Sequence, residues 1–279
     1  MCIISHKVNS VAKTNIFVSL NKSNNRQLVV YSNMVNTPNN NTMIMAVPYP
    51  TSIKFHDLSN YTKLFIDLKN SFQPLLFKQK KSRTPSFSTN TESIKVHDVG
   101  SYQASIVESL DDIKNLDPTV FQTNDEVTKF LTEKYSEQKN IGFVFCKLKA
   151  GDVTYHPFGY SHDALKIGYL FVPTMHYHIN ENLLFNKETD NDIADDWDHA
   201  IYIADGYTPC NKAEDINKYI PENNIKWNKI RDSDFDIYDV ENMNVYNLKG
   251  KYLNTDLMFY SNRVKQEIEI PHYPQFPFV

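Results

Sequence analysis

Short apolar runs separated by turn-forming residues dominate the first fifty positions of the chain. Four such runs predict four strands, and the asparagine and serine residues between them predict the turns of an antiparallel meander. The four runs are Cys2–Val8, Asn15–Leu20, Gln27–Ser32 and Thr42–Val47. The same pattern returns further along, and it predicts strands at 94–99, 102–107, 142–148, 153–158, 166–172, 175–179 and 199–204.

Two segments instead carry apolar residues at helical spacing. The first helix is predicted between Tyr61 and Phe72, because apolar residues recur there at intervals of three and four. The second is predicted to begin at Thr123, where Thr123 and Glu126 form a capping box. Because strands outnumber helices, the predicted fold class is α+β: strand-dominated, with antiparallel or mixed sheets and two main helices.

Length and composition predict a single compact unit over residues 1–279. The 279 residues are 41% hydrophobic, which is enough apolar material for a well-buried core. Residues 78–93 are polar and rich in serine and threonine, so they are the candidate loop or boundary between two lobes. The last ten residues hold three prolines among aromatic residues, so they are predicted to lie extended over the body or over a partner.

Charge and glycine content exclude several functional classes. A net charge of −4 and a pI near 6.1 argue against nucleic-acid binding. With only 7 glycines and no glycine-rich phosphate loop, a nucleotide-binding enzyme is also disfavoured. No apolar stretch is long enough to span a membrane, and no signal peptide is visible.

The remaining compositional signals concern the compartment and the source. The 3 cysteines make an odd number without paired spacing, which favours a reducing compartment. The predicted location is therefore cytoplasmic, or the virion if the source is a virus. Abundant asparagine is typical of AT-rich genomes such as those of some protists and large DNA viruses.

Histidines form the densest group of site-forming side chains. His156, His162, His176 and His178 lie within a short stretch, and the last two have i, i+2 spacing. On a strand this spacing places both imidazoles on one face, roughly 7 Å apart. Neutral imidazoles are ligands for zinc and other transition metals, so the four histidines are a candidate metal site.

A second interpretation of the histidine segment needs no metal. Met175 and Tyr177 occupy the opposite face and can belong to the core, so the histidines would simply face the solvent. In the metal interpretation, Asp163 or Asp198 can add an oxygen ligand.

Cys2 is a candidate catalytic nucleophile. Removal of Met1 exposes a cysteine whose own α-amino group can act as its base. A terminal cysteine followed by an apolar strand resembles the N-terminal nucleophile hydrolases, which implies an amidohydrolase activity. Relatives that cleave linear amides carry an arginine and an aspartate on the second strand. Residues 17–21 have neither, so Arg26 or Asn33 would have to substitute. Alternatively, Cys2 is an ordinary small residue of an edge strand.

Cys210 is a second candidate nucleophile. It precedes Asn211, which is predicted to cap a short helix over 212–220, and a helix N-terminus lowers the pKa of a nearby thiol. His199 can approach it from the adjoining strand. An incidental loop cysteine is the alternative, and Cys146, between apolar neighbours, is predicted to be inert core.

Three segments also resemble an uncharacterised bacterial protein family of unknown function. They are the strand NTMIMAVP at Asn41–Pro48, the GFVFCKLK strand and the LFVP strand, in that order along the chain. Since that family has no assigned chemistry, the resemblance implies a shared fold and no activity.

Together these observations favour a soluble intracellular binding or structural protein over an enzyme. The contacts with a protein partner, or with a second copy, are expected at the surface where the histidines and several aromatic residues meet, and at the proline-rich tail. No cofactor is expected. The alternatives are an amidohydrolase that uses Cys2 and a zinc or transition-metal protein that uses the histidines.

Overall fold

The fold is strand-dominated, as the sequence predicts. The structure is a computed structural model that describes residues 3–21, 25–71, 96–178, 193–204, 207–209, 217–219 and 243–261. In this part of the chain the α-helices are α1 (Leu64–Ser71) and α2 (Asp125–Tyr135). The strands are β1 Ile3–Ile4, β2 Ser10–Asn21, β3 Arg26–Thr37, β4 Asn41–Pro48, β5 Lys54–His56, β6 His97–Val99, β7 Tyr102–Val107, β8 Ile141–Leu148, β9 Gly151–Thr154, β10 Phe158–Asp163, β11 Tyr169–Val172, β12 Ile193–Ala204, β13 Tyr207–Pro209, β14 Asn217–Tyr219, β15 Met243–Leu253 and β16 Leu257–Ser261.

The largest sheet is mixed. Its strand order is β14-β15-β12-β2-β3-β10-β5, and β9 also pairs with β3. The pair β2–β12 is parallel, whereas β2–β3 is an antiparallel hairpin. The predicted meander therefore holds for β2 and β3 but not for β4, which crosses to another sheet.

Two smaller sheets lie against the largest one. The first has the order β1-β4-β8-β7-β6, and the second has the order β11-β16-β13. The side chain of Gln27 on β3 joins the largest sheet to β11, because it bonds both the N–H and the C=O of Phe171. The main chain of β11 is thus tied to β3 through a side chain.

An inner core fills the space between the largest sheet and the two smaller sheets. Alternate residues of β8 show the layering, since Val144, Cys146 and Leu148 belong to the inner core. Phe143 and Phe145 point to the other side and join a core that includes α2. Both faces of this strand are buried, as the sequence predicts for 142–148.

The helices cover the two outer faces. α1 packs through Leu64, Phe65 and Leu68 onto the outer side of the largest sheet. α2 packs onto the outer side of the smaller sheets. The helix cap is one residue away from the predicted position: the side chain of Asn124, not Thr123, accepts the N–H of Val127 at 2.8 Å.

Several predicted elements differ from the structure. Residues 217–219 form a strand instead of part of a helix. The predicted strand 153–158 is divided into β9 and β10, because Pro157 interrupts the pairing between them. Residues 175–178 form no strand; their only bridge joins Tyr177 to Ile3. None of the helices in the described part is long and apolar enough to cross a membrane.

Two organisational predictions fall on residues that the structure does not describe. The candidate lobe boundary at 78–93 and the proline-rich tail both lie outside the described residues. The single-unit organisation over 1–279 therefore stays a prediction.

Candidate functional site

Two anchored segments flank β11. We call residues 163–169 the exposed turn, and residues 174–178 the histidine segment. Every histidine of the predicted metal site, apart from His156, lies in or next to one of these segments.

The exposed turn has a defined backbone geometry. Tyr169 donates its N–H to the C=O of Lys166 at 3.1 Å, and Gly168 has a φ of 78°. A left-handed residue at the third position is the signature of a type II turn, and glycine adopts it without strain. Ile167 therefore stands at the outer corner, where it is 73% exposed.

Main-chain bonds hold the exposed turn at both ends. Ala164 donates its N–H to the C=O of Asn25 at 2.9 Å, and Ser261 donates its N–H to the C=O of Gly168 at 2.8 Å. The ammonium of Lys166 lies 5.1 Å from the centre of the Tyr169 ring, a cation–π contact. These bonds fix the turn at one end to Asn25, the residue before β3, and at the other end to β16.

Arg26 supports the base of the exposed turn. One guanidinium nitrogen donates to the carboxylate of Asp163 at 2.9 Å. The other donates to the carbonyls of Ser52 and Ser161 at 2.8 and 3.1 Å. The planar guanidinium of Arg26 thus joins β3 to Ser52 and to β10. A lysine ammonium cannot form the same forked set of bonds.

His162 is buried beneath the exposed turn. Its Nδ1 lies 2.8 Å from the C=O of Asp163, which identifies Nδ1 as the protonated nitrogen. Its Nε2 is buried and has no hydrogen-bond partner among the described residues. The pKa of His162 is lowered to about 4, mainly by burial; the bond to the C=O of Asp163 opposes the decrease, and the positive charge of Arg26 adds to it. The imidazole is therefore neutral at physiological pH.

The histidine segment is held on one side by a side chain and on the other by strand β1. Asn254 accepts the N–H of His176 at 2.8 Å and donates to the C=O of His176 at 2.7 Å. This pair of bonds imitates the pairing of two strands. On the other side, Ile4 donates its N–H to the C=O of Tyr177 at 2.7 Å, and the Tyr177 ring packs 4.5 Å from the ring of Phe130 on α2.

Asp256 is the buried acid of this region. One carboxylate oxygen accepts the N–H groups of Thr174 and Met175 at 2.9 and 2.8 Å. The other accepts the hydroxyl of Tyr135 at 2.6 Å. Burial raises the pKa of Asp256 to about 6, although these three hydrogen bonds oppose the increase. Burial, and then the charge of Asp256, raise the pKa of Tyr135 well above its usual value.

His176 and His178 lie side by side in the interior, on a segment that forms no strand. Their Nε2 atoms are 2.9 Å apart, and the two residues are 5% and 7% exposed. His199 on β12 is 2% exposed, and its ring centre is 6.3 Å from that of His176. The interpretation in which these histidines face the solvent is therefore wrong. Met175 also lies in a core, so both sides of the segment are buried.

His156 and His162 do not join this pair. His156 accepts the N–H of Ser101 at Nε2, 2.8 Å away, and its Nδ1 bonds the C=O of Pro157 at 2.8 Å. Both of its nitrogens are thereby occupied. The contact requires Gly100, since a Cβ there would overlap with His156.

The candidate oxygen ligands have other partners as well. Asp163 bonds Arg26, and Asp198 accepts the N–H of Lys13 at 3.1 Å. Within the described residues, no group of three or more His, Cys, Asp or Glu side chains is arranged to hold a metal ion.

Of the three cysteines, the structure describes Cys146. Cys146 is fully buried in the inner core, as expected. Cys2 and Cys210 lie outside the described residues, so their proposed roles as nucleophiles stay predictions. The ring centre of His199, the suggested partner of Cys210, is 6.3 Å from that of His176, and the pairing with Cys210 stays a prediction.

The sequence pattern misses three structural features. It predicts a strand over Ile167, although the pair Ile167-Gly168 carries the turn signal. It gives Arg26 only a substitute role in a hydrolase site, and it gives Asp256 no role. The polar run Asn254 to Asp256 between two apolar runs was the available signal for a turn with capping side chains.

Comparison with known proteins gives matches to solved structures alone. No family model matches the chain, and no curated protein matches it. The crystal structure of baculovirus P35 is 12% identical, with a TM-score of 0.46, and the match covers 93% of this chain and 99% of that chain. A mutated baculovirus P35 after caspase cleavage is 12% identical, with a TM-score of 0.49, and the match covers 90% of this chain and 100% of that chain.

A third similar structure is that of the caspase-8/P35 complex. It is 12% identical, with a TM-score of 0.44, and the match covers 90% of this chain and 97% of that chain. Similarity at this level does not transfer an activity from P35. The resemblances to N-terminal nucleophile hydrolases and to an uncharacterised bacterial family stay predictions.

Proposed function

We propose that this chain acts by binding another protein, and that the exposed turn is its contact site. The supporting observation is the presentation of Ile167, which is 73% exposed on a turn whose two ends are bonded to Asn25 and to β16. An exposed apolar side chain on an ordered turn can enter a pocket of a partner with little loss of conformational entropy.

The expected partner surface is an apolar pocket with acidic groups near its rim. Ile167 fits such a pocket, and burial of an isoleucine side chain contributes about 1.5–3 kcal/mol. Lys166 lies next to it and carries the positive charge of the turn, because the carboxylate of Asp163 is already paired with Arg26.

The experiment compares two exposed isoleucines. Ile66 on α1 is 57% exposed and provides a matched control for Ile167. Wild type, Ile167→Asp and Ile66→Asp are tested by calorimetry against purified caspase-8, the protein bound to P35 in a solved structure. They are then tested against proteins that the wild type captures and that rebind after purification. Both substitutions are at the surface, so circular dichroism should show the wild-type fold for each.

We expect Ile167→Asp to weaken binding of the true partner at least tenfold, which corresponds to about 1.4 kcal/mol or more. We expect Ile66→Asp to leave the affinity within about twofold. Equal losses in the two variants, or no loss in Ile167→Asp, would contradict the exposed turn as the contact site. The absence of any saturable protein partner would contradict the binding function itself.

A further inference from the structure

The pair formed by His176 and His178 has the dimensions of a metal chelate. Their Nε2 atoms are 2.9 Å apart, and their ring centres are 4.8 Å apart. Two imidazoles that bind one zinc ion at about 2.0–2.1 Å, with an angle of 90–109° at the metal, have nitrogens about 2.9–3.4 Å apart. The two rings therefore already stand at the separation that neighbouring ligands of one ion require.

The backbone that carries the pair is held in place before any ion arrives. Asn254 bonds both the N–H and the C=O of His176, and Ile4 bonds the C=O of Tyr177 between the two histidines. A site whose ligands are fixed by such supporting contacts loses little entropy when it binds a metal. These contacts fix the backbone that carries the two rings.

We propose that His176 and His178 together bind one divalent late transition-metal ion, through Nε2 of each ring. Late transition metals such as nickel, copper and zinc prefer imidazole, whereas magnesium and calcium prefer oxygen ligands. Each ring keeps its proton on Nδ1 when Nε2 binds the ion. The proposal is independent of the exposed turn and of the binding function assigned to it.

Two protein ligands define this site within the described residues. His199 lies too far from His176 to be a neighbouring ligand, since the ring centres are 6.3 Å apart. No third His, Cys, Asp or Glu of the described part completes the group. The rest of the coordination shell must come from water or another exogenous ligand that reaches this buried pair, so the site differs from a structural zinc site with four protein ligands.

A hydrogen bond between the two imidazoles is the competing explanation. One Nε2–H that donates to the other Nε2 also gives a separation near 2.9 Å. The two explanations differ in their consequences, because the hydrogen-bonded pair has no reason to take up a metal.

The test uses the untagged full chain after treatment with a chelator, titrated with nickel, copper(II) and zinc chlorides. The variants are His176→Gln, His178→Gln and the double variant, and the control is His97→Gln. His97 lies on β6, at the edge of the sheet opposite to β1, which contacts the histidine segment. Calorimetry measures stoichiometry and affinity, and thermal unfolding with and without metal measures the stabilisation.

We expect the wild type and His97→Gln to bind one ion per chain. Each single variant should bind at least about tenfold more weakly, and the double variant should show no increase in unfolding temperature with metal. Copper(II) bound to the wild type should show electron spin-echo modulation from two imidazoles, a readout that stays valid even if a variant fails to fold. The proposal is overturned if the wild type takes up no ion, if the double variant binds equally well, or if the copper signal lacks two imidazoles.

Discussion

The exposed turn and the histidine segment lie on either side of β11. Both are anchored by residues that are distant in the sequence, but the two segments differ in their exposure to solvent. At the exposed turn, Arg26 bonds the carboxylate of Asp163, whereas at the histidine segment Asn254 and Asp256 bond the backbone itself. The turn presents an apolar side chain to the solvent, whereas the histidine segment carries imidazoles into the interior. The local anchoring therefore does not determine exposure, which depends on what packs over the segment.

The same comparison extends to the titratable group beneath each region. His162 lies under the turn and Asp256 under the histidine segment, and both are buried. Burial penalises the charged form in each case, so it lowers the pKa of the histidine and raises that of the aspartate. The two groups must then change the stability of the fold in opposite directions as pH changes.

The largest effect is expected from His162. Its pKa falls from 6.5 to about 4 in the folded state, so the unfolded chain binds a proton first as pH decreases. Its contribution to stability is complete above pH 6.5 and is lost as pH falls towards 4, by about 3 kcal/mol. Urea unfolding across this range should show a smaller acid loss for His162→Gln than for wild type. An unchanged acid loss would contradict the assignment.

A slightly smaller effect of the opposite sign is expected from Asp256. Its pKa rises from 3.8 to about 6, so the folded chain binds a proton first. Its contribution is complete below pH 3.8 and is lost as pH rises through 6, again by about 3 kcal/mol. Asp256→Asn should remove this loss of stability at higher pH. The loss of stability at low pH that is due to His162 should then be larger than in the wild type, because nothing opposes it.

The double variant His162→Gln, Asp256→Asn is the control for both pH predictions. Because the two contributions oppose each other, we expect its stability to depend less on pH than that of either single variant. A double variant with the same slope as one single variant would show that only one of the two groups titrates as described.

The smallest effect is expected from Arg26. Arg26→Met removes the bonds to Asp163, Ser52 and Ser161, and should lower the free energy of unfolding by about 1–2 kcal/mol. Hydrogen exchange of the Ala164 amide should accelerate. Lys129→Met, which removes an exposed ion pair with Glu133 on α2, is the control and should cost less than about 0.5 kcal/mol. Equal losses in the two variants would contradict the anchoring role of Arg26.

Local pattern was enough to predict the strand-dominated fold and much of its burial. The run Gly142 to Leu148 has apolar residues in both alternating sets, and both faces are indeed buried. The i, i+2 spacing of His176 and His178 predicts a shared face of a strand, but residues 175–178 form no strand. The position and burial of the two rings depend on Asn254 and on Ile4, which are distant in the sequence.

Errors in the sequence analysis arose where distant residues determine the outcome. β4 looks like the next strand of a meander, yet it pairs with β1 and β8 because its two faces belong to two different cores. The N-cap was assigned to Thr123, but Asn124 is a comparably good capping residue. Neighbouring candidates of equal propensity cannot be separated by local rules.

The parallel pairing of β2 with β12 has a consequence for biosynthesis. Residues 14–18 of β2 pair with residues 199–203, which a ribosome adds about 180 residues later. This pairing cannot form before those residues have been synthesised. At about 5–20 residues per second, one edge of β2 stays open for roughly ten to forty seconds. An uncovered strand edge is a template for association with other chains. The nascent polypeptide is therefore expected to depend on a chaperone until its last third has emerged.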